Sequence, residues 1–145
     1  MQTFLPYRDF KLSAKCLDMR RLGKQRVETL QLLQTLLMPT KKKGWINHPA
    51  AKMWRDYEES LIEYGIVICE EWLSRGYKDT CKEKIQTFSY DSEVPYYLKL
   101  KEYPLWLGNE AFHASHRSNL LRKDPVWYGK FGWEESDDLE YIWPV

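Results

Sequence analysis

The chain is short of the groups on which several common chemistries depend. Its 145 residues include only three cysteines, Cys16, Cys69 and Cys81, an odd number with no CxxC pair and no Cys/His ligand spacing. That excludes a disulfide scaffold and a thiolate zinc site, and it fits reduced thiols in a cytoplasmic protein. There is no glycine-rich phosphate loop and no nucleophile elbow, so nucleotide hydrolysis and serine hydrolysis fit poorly. The longest apolar stretch, Tyr64 to Cys69, is far too short to span a bilayer. The opening MQTFLPYRDF lacks the basic region and apolar run of a secretory signal. There is no internal repeat, no linker-like segment and no alternating strand pattern.

What is present is the composition of a globular protein, with 43% hydrophobic and 30% charged residues, and a length that suits one domain over 1–145. Aromatic residues are abundant at 15%, with seven Trp and ten Tyr, which suits buried bodies with polar tips and equally suits base stacking. The net charge of +1 hides a polarity. Residues 1–43 hold ten Lys/Arg against three Asp/Glu, and the rest hold twelve against eighteen. A basic end is what a polyanionic partner requires.

The pattern predicts an all-α fold of three to four helices with an irregular, aromatic C-terminal segment. An extended arm over 1–11, kept from helix by Pro6, leads into a helix from Ala14 to Met38 with Ser13 as N-cap and Pro39 as stop. Gly23, inside that helix, marks a possible close approach of the arm or of a ligand. A loop of residues 39–48 precedes a second helix that starts at Pro49, capped by Asn47 or His48, and ends at Arg75-Gly76. A third helix, capped by Asp79 or Thr80, reaches Phe88, and residues 89–107 read as aromatic loop. Asn109 caps a fourth helix from Glu110 to Lys123, closed by Asp124-Pro125. The acidic run Glu134–Glu140 reads as a solvated tail, with mimicry of phosphate or closure over a cleft as alternatives.

The most distinctive stretch is residues 17–31, LDMRRLGKQRVETLQ, which carries Glu28 among Arg20, Arg21, Lys24 and Arg26. At 100° per residue, Arg21, Lys24, Glu28 and Gln31 fall within a band of roughly 80°, opposite Leu22, Leu30, Leu33 and Leu37. One reading is a solvated face with Lys24–Glu28 as an i,i+4 pair, worth a few tenths of a kcal/mol. The other is an acid held among phosphate-binding cations. His116-Arg117 and Arg122-Lys123 are suited to phosphate contacts, and Trp127, Tyr128 and Lys130 join an aromatic surface to a cation. A carboxylate in such a setting can stabilise a developing oxocarbenium ion or move a proton. His113 and His116, at i,i+3, could present two imidazoles on one face, but nothing else in the sequence completes a metal site.

These landmarks together resemble the pyrimidine-dimer DNA glycosylase/AP lyases of the phage endonuclease V type and their bacterial and phage relatives. LDMRRLGKQRVE (17–28) resembles the family's first helix, and NHP (47–49) the turn into the second. Tyr64, Glu70 and Arg75-Gly76-Tyr77 match that helix and its exit, and SHRSNLLRKDP (115–125) with Trp127-Tyr128 resembles the last helix and the aromatic segment that approaches DNA. The resemblance implies a single all-α domain that excises a base without metal or cofactor. In the family the N-terminal α-amine attacks C1′, displaces the base and forms a Schiff base that permits β-elimination, assisted by a glutamate on the first helix. That glutamate falls on Glu28. An α-amine with a pKa near 8 is partly uncharged at neutral pH and so nucleophilic.

Two departures qualify the likeness. The family exposes a threonine amine after loss of the initiator Met, whereas here residue 2 is Gln and threonine is residue 3, so the expected nucleophile is the amine of Met1. A family arginine just before the glutamate is Val27 here, so the substrate is a pyrimidine dimer or another damaged or modified pyrimidine. The expected partner is double-stranded DNA carrying that lesion, bound by a cytoplasmic monomer. The DNA-facing set is Arg20, Arg21, Lys24 and Arg26 on the first helix and His48 at the turn. It continues with His116, Arg117, Arg122, Lys123, Trp127, Tyr128 and Lys130 near the C-terminus. Two other readings remain: a non-catalytic DNA- or partner-binding module on the same scaffold, and a histidine-based metal nuclease.

Overall fold

A computed structural model describes residues 1–38, 44–90 and 102–145. Among them the regular structure is helical throughout, in seven α-helices. They are α1 (Phe10–Cys16), α2 (Met19–Leu37), α3 (Pro49–Trp54), α4 (Glu58–Ser74), α5 (Cys81–Tyr90), α6 (Glu110–Lys123) and α7 (Pro125–Tyr128), with a 3-10 turn at Gly129–Phe131. The expected all-α class holds. The two long helices of the sequence reading are each divided, and the parts of the two loops at 39–43 and 91–101 lie outside the described residues.

The first division falls at Leu17-Asp18, where both residues turn to extended backbone. The helix therefore starts earlier than expected, at Phe10, capped by Asp9, which accepts from the Leu12 amide at 3.0 Å. Ser13, the expected cap, is instead buried and accepts from the Tyr7 amide at 3.1 Å. Asp18 is pulled away from capping α2 by Tyr128, whose hydroxyl donates to Asp18 Oδ1 at 2.5 Å and accepts from its amide at 3.1 Å. The second division falls at Asp56, a non-glycine residue at φ 73°. Its neighbour Arg55 closes α3, and α4 opens at Glu58.

The remaining ends follow local chemistry. His48 caps α3 through Nδ1, which accepts from Ala50 N at 3.0 Å, with Pro49 at the first helical position. At the end of α4, Gly76 adopts φ 92°, its amide bonds Leu73 O and that of Tyr77 bonds Trp72 O, the paired bonds of a Schellman close. Asp79 caps α5 by accepting from Cys81 and Lys82 amides at 3.1 and 2.8 Å. Asn109 caps α6 through Phe112 N at 3.0 Å, and Asp124 ends α6 and caps α7.

The core forms where α2, α4, α5 and α1 pack together. Leu22, Leu33, Leu61, Ile68, Ile85 and Trp54 are fully buried there, and each such side chain contributes roughly 1.5–3 kcal/mol on leaving water. The close approach expected at Gly23 is real, but its partner is the indole of Trp72. A Cβ on Gly23 would stand 2.9 Å from that ring, so the close approach there is between α2 and α4 rather than with the arm. The C-terminal tail runs back along α6. Ser118 and Ser115 hydroxyls accept from Leu139 and Ile142 amides at 3.0 and 3.2 Å, and Arg122 donates to Asp137 O at 3.1 Å. The acidic run is thus tied to α6 by its backbone, and Glu135 is ion-paired with Arg117. No helix of the described residues is long and apolar enough to cross a membrane.

Candidate active site

Residues 1–9 precede α1 without regular structure, and Gln2 to Pro6 are buried. A buried segment with no strand beside it must find side-chain partners for its peptide groups. Gln25, 1% exposed on α2, supplies two of them. Its Nε2 donates to Gln2 O at 2.7 Å and to Glu28 Oε2 at 3.2 Å. Its Oε1 accepts from Phe4 N at 3.0 Å and from the Tyr64 hydroxyl at 2.7 Å. Tyr64 also donates to Phe4 O at 2.8 Å, Trp54 Nε1 donates to Thr3 Oγ1 at 3.0 Å, and Arg117 donates to Pro6 O at 2.8 Å.

Glu28 lies under the start of this arm. Its side chain is 14% exposed, and Lys24 Nζ stands 3.7 Å from Oε1. The Gln2 amide donates to Oε2 at 3.2 Å. Covalent geometry keeps the Met1 nitrogen within about 3.7 Å of the Gln2 nitrogen, and so within about 7 Å of the Glu28 carboxylate. Both border an open cleft of about 360 Å³. Its other walls are the cations Arg20, Arg21 and Lys24 from α2 and Lys123 from α6, with the Phe4 ring beneath. Lys123 Nζ lies 5.2 Å from the centre of that ring. Burial lowers the lysine's proton affinity, and the charges of Arg21 and Arg122 lower it further. Among the described residues the cleft thus sets several cations around a single carboxylate, a field suited to anions at the cations and to positive charge at Glu28.

His48 stands in the field of the same groups. Burial lowers its pKa, the Met1 ammonium lowers it too, and Glu28 opposes both. Its ring is set edge-on between Trp45, at 5.4 Å, and Trp143, at 5.9 Å.

The structure therefore brings together Met1, Glu28, Arg20, Arg21, Lys24 and Lys123, with His48 alongside. Other residues of the expected set lie elsewhere. Arg26 turns to the far side of α2, where it meets Asp79 at 2.5 Å and stacks over Trp72. His116 is buried, its Nδ1 accepting from Leu5 N at 2.9 Å, which removes it from a solvent-facing phosphate site. Arg117 is ion-paired with Glu110 and Glu135, and Arg122 bonds Asn119 and the tail. Tyr128 is fully buried against Asp18. Trp127 donates to Cys16 O at 2.7 Å, with Lys130 Nζ 3.4 Å above its ring, beside the α1–α2 junction. These side chains brace the fold around the cleft without lining it.

Gln25, Gln2 and Phe4 escaped the sequence reading. A signal existed for Gln25, which stands three residues before Glu28 on the same helical face. Among the described residues no cluster of three His, Cys, Asp or Glu could hold a metal ion. Cys16 is pushed up to about 12 by burial and stays a thiol.

The described residues thus form an all-helical unit with a carboxylate and a buried N-terminal arm at a cationic cleft. A family model described as pyrimidine dimer DNA glycosylase matches residues 1–85, and the chain belongs to that family. The match covers the arm, Glu28 and α2 through the first half of α5; Lys123 and the rest of α6 lie beyond it. The chain matches no curated protein and no solved structure.

Proposed function

We propose that the chain excises a damaged or modified pyrimidine from double-stranded DNA and then cleaves the strand as an AP lyase, with the Met1 amine as nucleophile and Glu28 as its acid–base partner. The nitrogen of Met1 forms a bond to C1′ as the bond from C1′ to the base breaks, and the electron pair leaves with the base. Glu28 stabilises the positive sugar while this happens, then takes a proton from the nitrogen and delivers it to O4′ as the nitrogen lone pair expels O4′ from C1′, opening the ring to an iminium ion. Loss of a proton from C2′ next expels the 3′ phosphate by β-elimination. Arg20, Arg21, Lys24 and Lys123 hold the flanking phosphates, and their charge offsets the few kcal/mol needed to unstack a nucleotide. The observation that supports this reading most directly is the Gln2 amide on Glu28, which ties the start of the chain to the one carboxylate that lines the cleft among the described residues.

Borohydride trapping on DNA with a defined abasic site tests it. A covalent adduct is expected, and mass analysis of the digested complex identifies which amine carries the sugar. An adduct on a lysine, or none, would sink the amine mechanism. Glu28→Gln is expected to abolish base release from dimer-containing DNA while leaving binding intact. Salt-dependent binding with no cleavage at any lesion would instead mark a binding module.

A further inference from the structure

Of all the peptide groups in the arm, those of Leu5 have the most unusual partners. Two histidines of α6 take both of them. His116 Nδ1 accepts from Leu5 N–H at 2.9 Å, and His113 Nδ1 meets Leu5 O at 2.8 Å. His113 Nε2 also accepts from Gly108 N at 2.9 Å. These contacts fix the tautomers. His113 carries its hydrogen on Nδ1 and donates it to the carbonyl, while His116 carries its hydrogen on Nε2 and leaves Nδ1 to accept. The two rings do what a neighbouring β-strand would do for one residue, and the arrangement needs both neutral: a proton on His116 Nδ1 would remove the acceptor for Leu5 N–H, and one on His113 Nε2 would remove the acceptor for Gly108 N–H. Burial provides that condition: it lowers His113 and pushes His116 down to about 3. The His116 ring is further seated between Phe112, at 4.4 Å, and Tyr141, at 5.5 Å.

We propose that His113 and His116 are positioning residues for the nucleophile: by closing both hydrogen-bonding groups of Leu5 they set the register of the arm, and so where its first amine stands relative to Glu28. The proposal rests on the amine mechanism above. From Leu5 the arm has three residues to reach the carboxylate, through Phe4 N and Gln2 O on Gln25 and then Gln2 N on Glu28. A slip of one residue would shift the amine by about 3.3 Å, and misplacements of about 1 Å already cost on the order of 10²-fold in rate. Both histidines lie beyond residues 1–85, so this support comes from a part of the chain that the family match does not reach.

The test compares His116→Leu, which removes the acceptor, with His116→Asn, whose Oδ1 can take the place of Nδ1, and with His113→Leu. Three readouts are taken on the full chain: single-turnover trapping at a preformed abasic site, affinity for DNA carrying a non-cleavable abasic analogue, and hydrogen exchange at the arm amides. The Leu variants are expected to lose on the order of 10²-fold in trapping rate, with affinity unchanged and Leu5 exchange accelerated in His116→Leu. His116→Asn is expected to restore both rate and protection. Trapping at the native rate in a folded His116→Leu would overturn the proposal, as would equal losses of rate and affinity. If His116→Leu does not fold, His116→Asn and His113→Leu decide: unprotected arm amides with undiminished trapping would overturn it. A native chain that forms no N-terminal adduct overturns the amine mechanism and this proposal together. A reactive native chain with unaffected variants overturns this proposal alone.

Discussion

Gln25→Leu is the substitution that strikes the candidate site most directly without touching Glu28. The side chain makes four hydrogen bonds, to Gln2 O, Glu28, Phe4 N and Tyr64, at 2.7 to 3.2 Å. Leucine fills a similar volume and makes none. Tyr64 keeps Phe4 O and Glu28 keeps the Gln2 amide, but Phe4 N–H and Gln2 C=O are left without the partner they have now. A buried peptide group stranded in this way costs about 1–3 kcal/mol. Two of them set a range of about 2–6 kcal/mol, and water entering from the adjoining cleft brings the expected loss to about 3 kcal/mol. For a chain of this size that is a fall of about 6–12 °C in Tm. The arm loses its anchor on both sides of Thr3, so the amine drifts and trapping at an abasic site should drop on the order of 10²-fold. Denaturant unfolding and borohydride trapping measure the two effects on one preparation. A variant within about 1 kcal/mol of the native chain, the lower edge for a single stranded group, that also traps at the native rate would show that Gln25 neither holds the arm nor serves the site.

Two further outcomes follow from the charges. Alanine at Arg20, Lys24 or Lys123 should weaken DNA binding and lower the slope of log K against log salt by about 0.9 for each phosphate left without its cation, measured by anisotropy over a salt series. Alanine at Arg26, which faces Asp79, should leave that slope unchanged. At Asp79, burial acts to raise the carboxyl, but the Arg26 hydrogen bond and the Lys82 and Cys81 amides outweigh it and hold it below 3.8. A carboxyl depressed by folding stabilises fully above its unfolded pKa of about 3.9, and that contribution drains as pH falls through the lower folded value. Asp79→Asn should therefore lower stability at pH 7 and flatten the acid limb of a stability–pH curve. An acid limb as steep as that of the native chain would refute this account.

Capping chemistry made some of the fold legible. Asn109, Asp124-Pro125 and Arg75-Gly76 sit where the sequence places helix ends, because the groups that settle those ends are within a few residues of one another. The breaks at Asp18 and Asp56 were not legible. Asp18 is held by Tyr128, 110 residues away, and no local pattern encodes that partner. The same distance problem shaped the site. Glu28, Lys24 and Arg21 could be found because they share one helical face. The position of Gln25 beside Glu28 was legible, but its burial was not, since its partners Gln2, Phe4 and Tyr64 lie 21 to 39 residues off. Arg117 and Tyr128 carry the chemistry expected of DNA contacts, but composition does not reveal direction. One is neutralised by Glu110 and Glu135, and the other is sealed behind Asp18.

The clasp of α6 on Leu5 spans 111 residues, and that separation has a consequence for assembly. The arm leaves the ribosome before α6, which carries its partners His113, His116 and Arg117. A nascent chain that stops short of α6 lacks the partners of Leu5 and Pro6, even when α2 and α4 already hold Gln2 and Phe4. Contacts of such long sequence separation carry a large closure entropy and tend to form late. Under the proposed mechanism the nucleophile is thus made before α6 and fully placed only after it, once α6 has packed onto the arm.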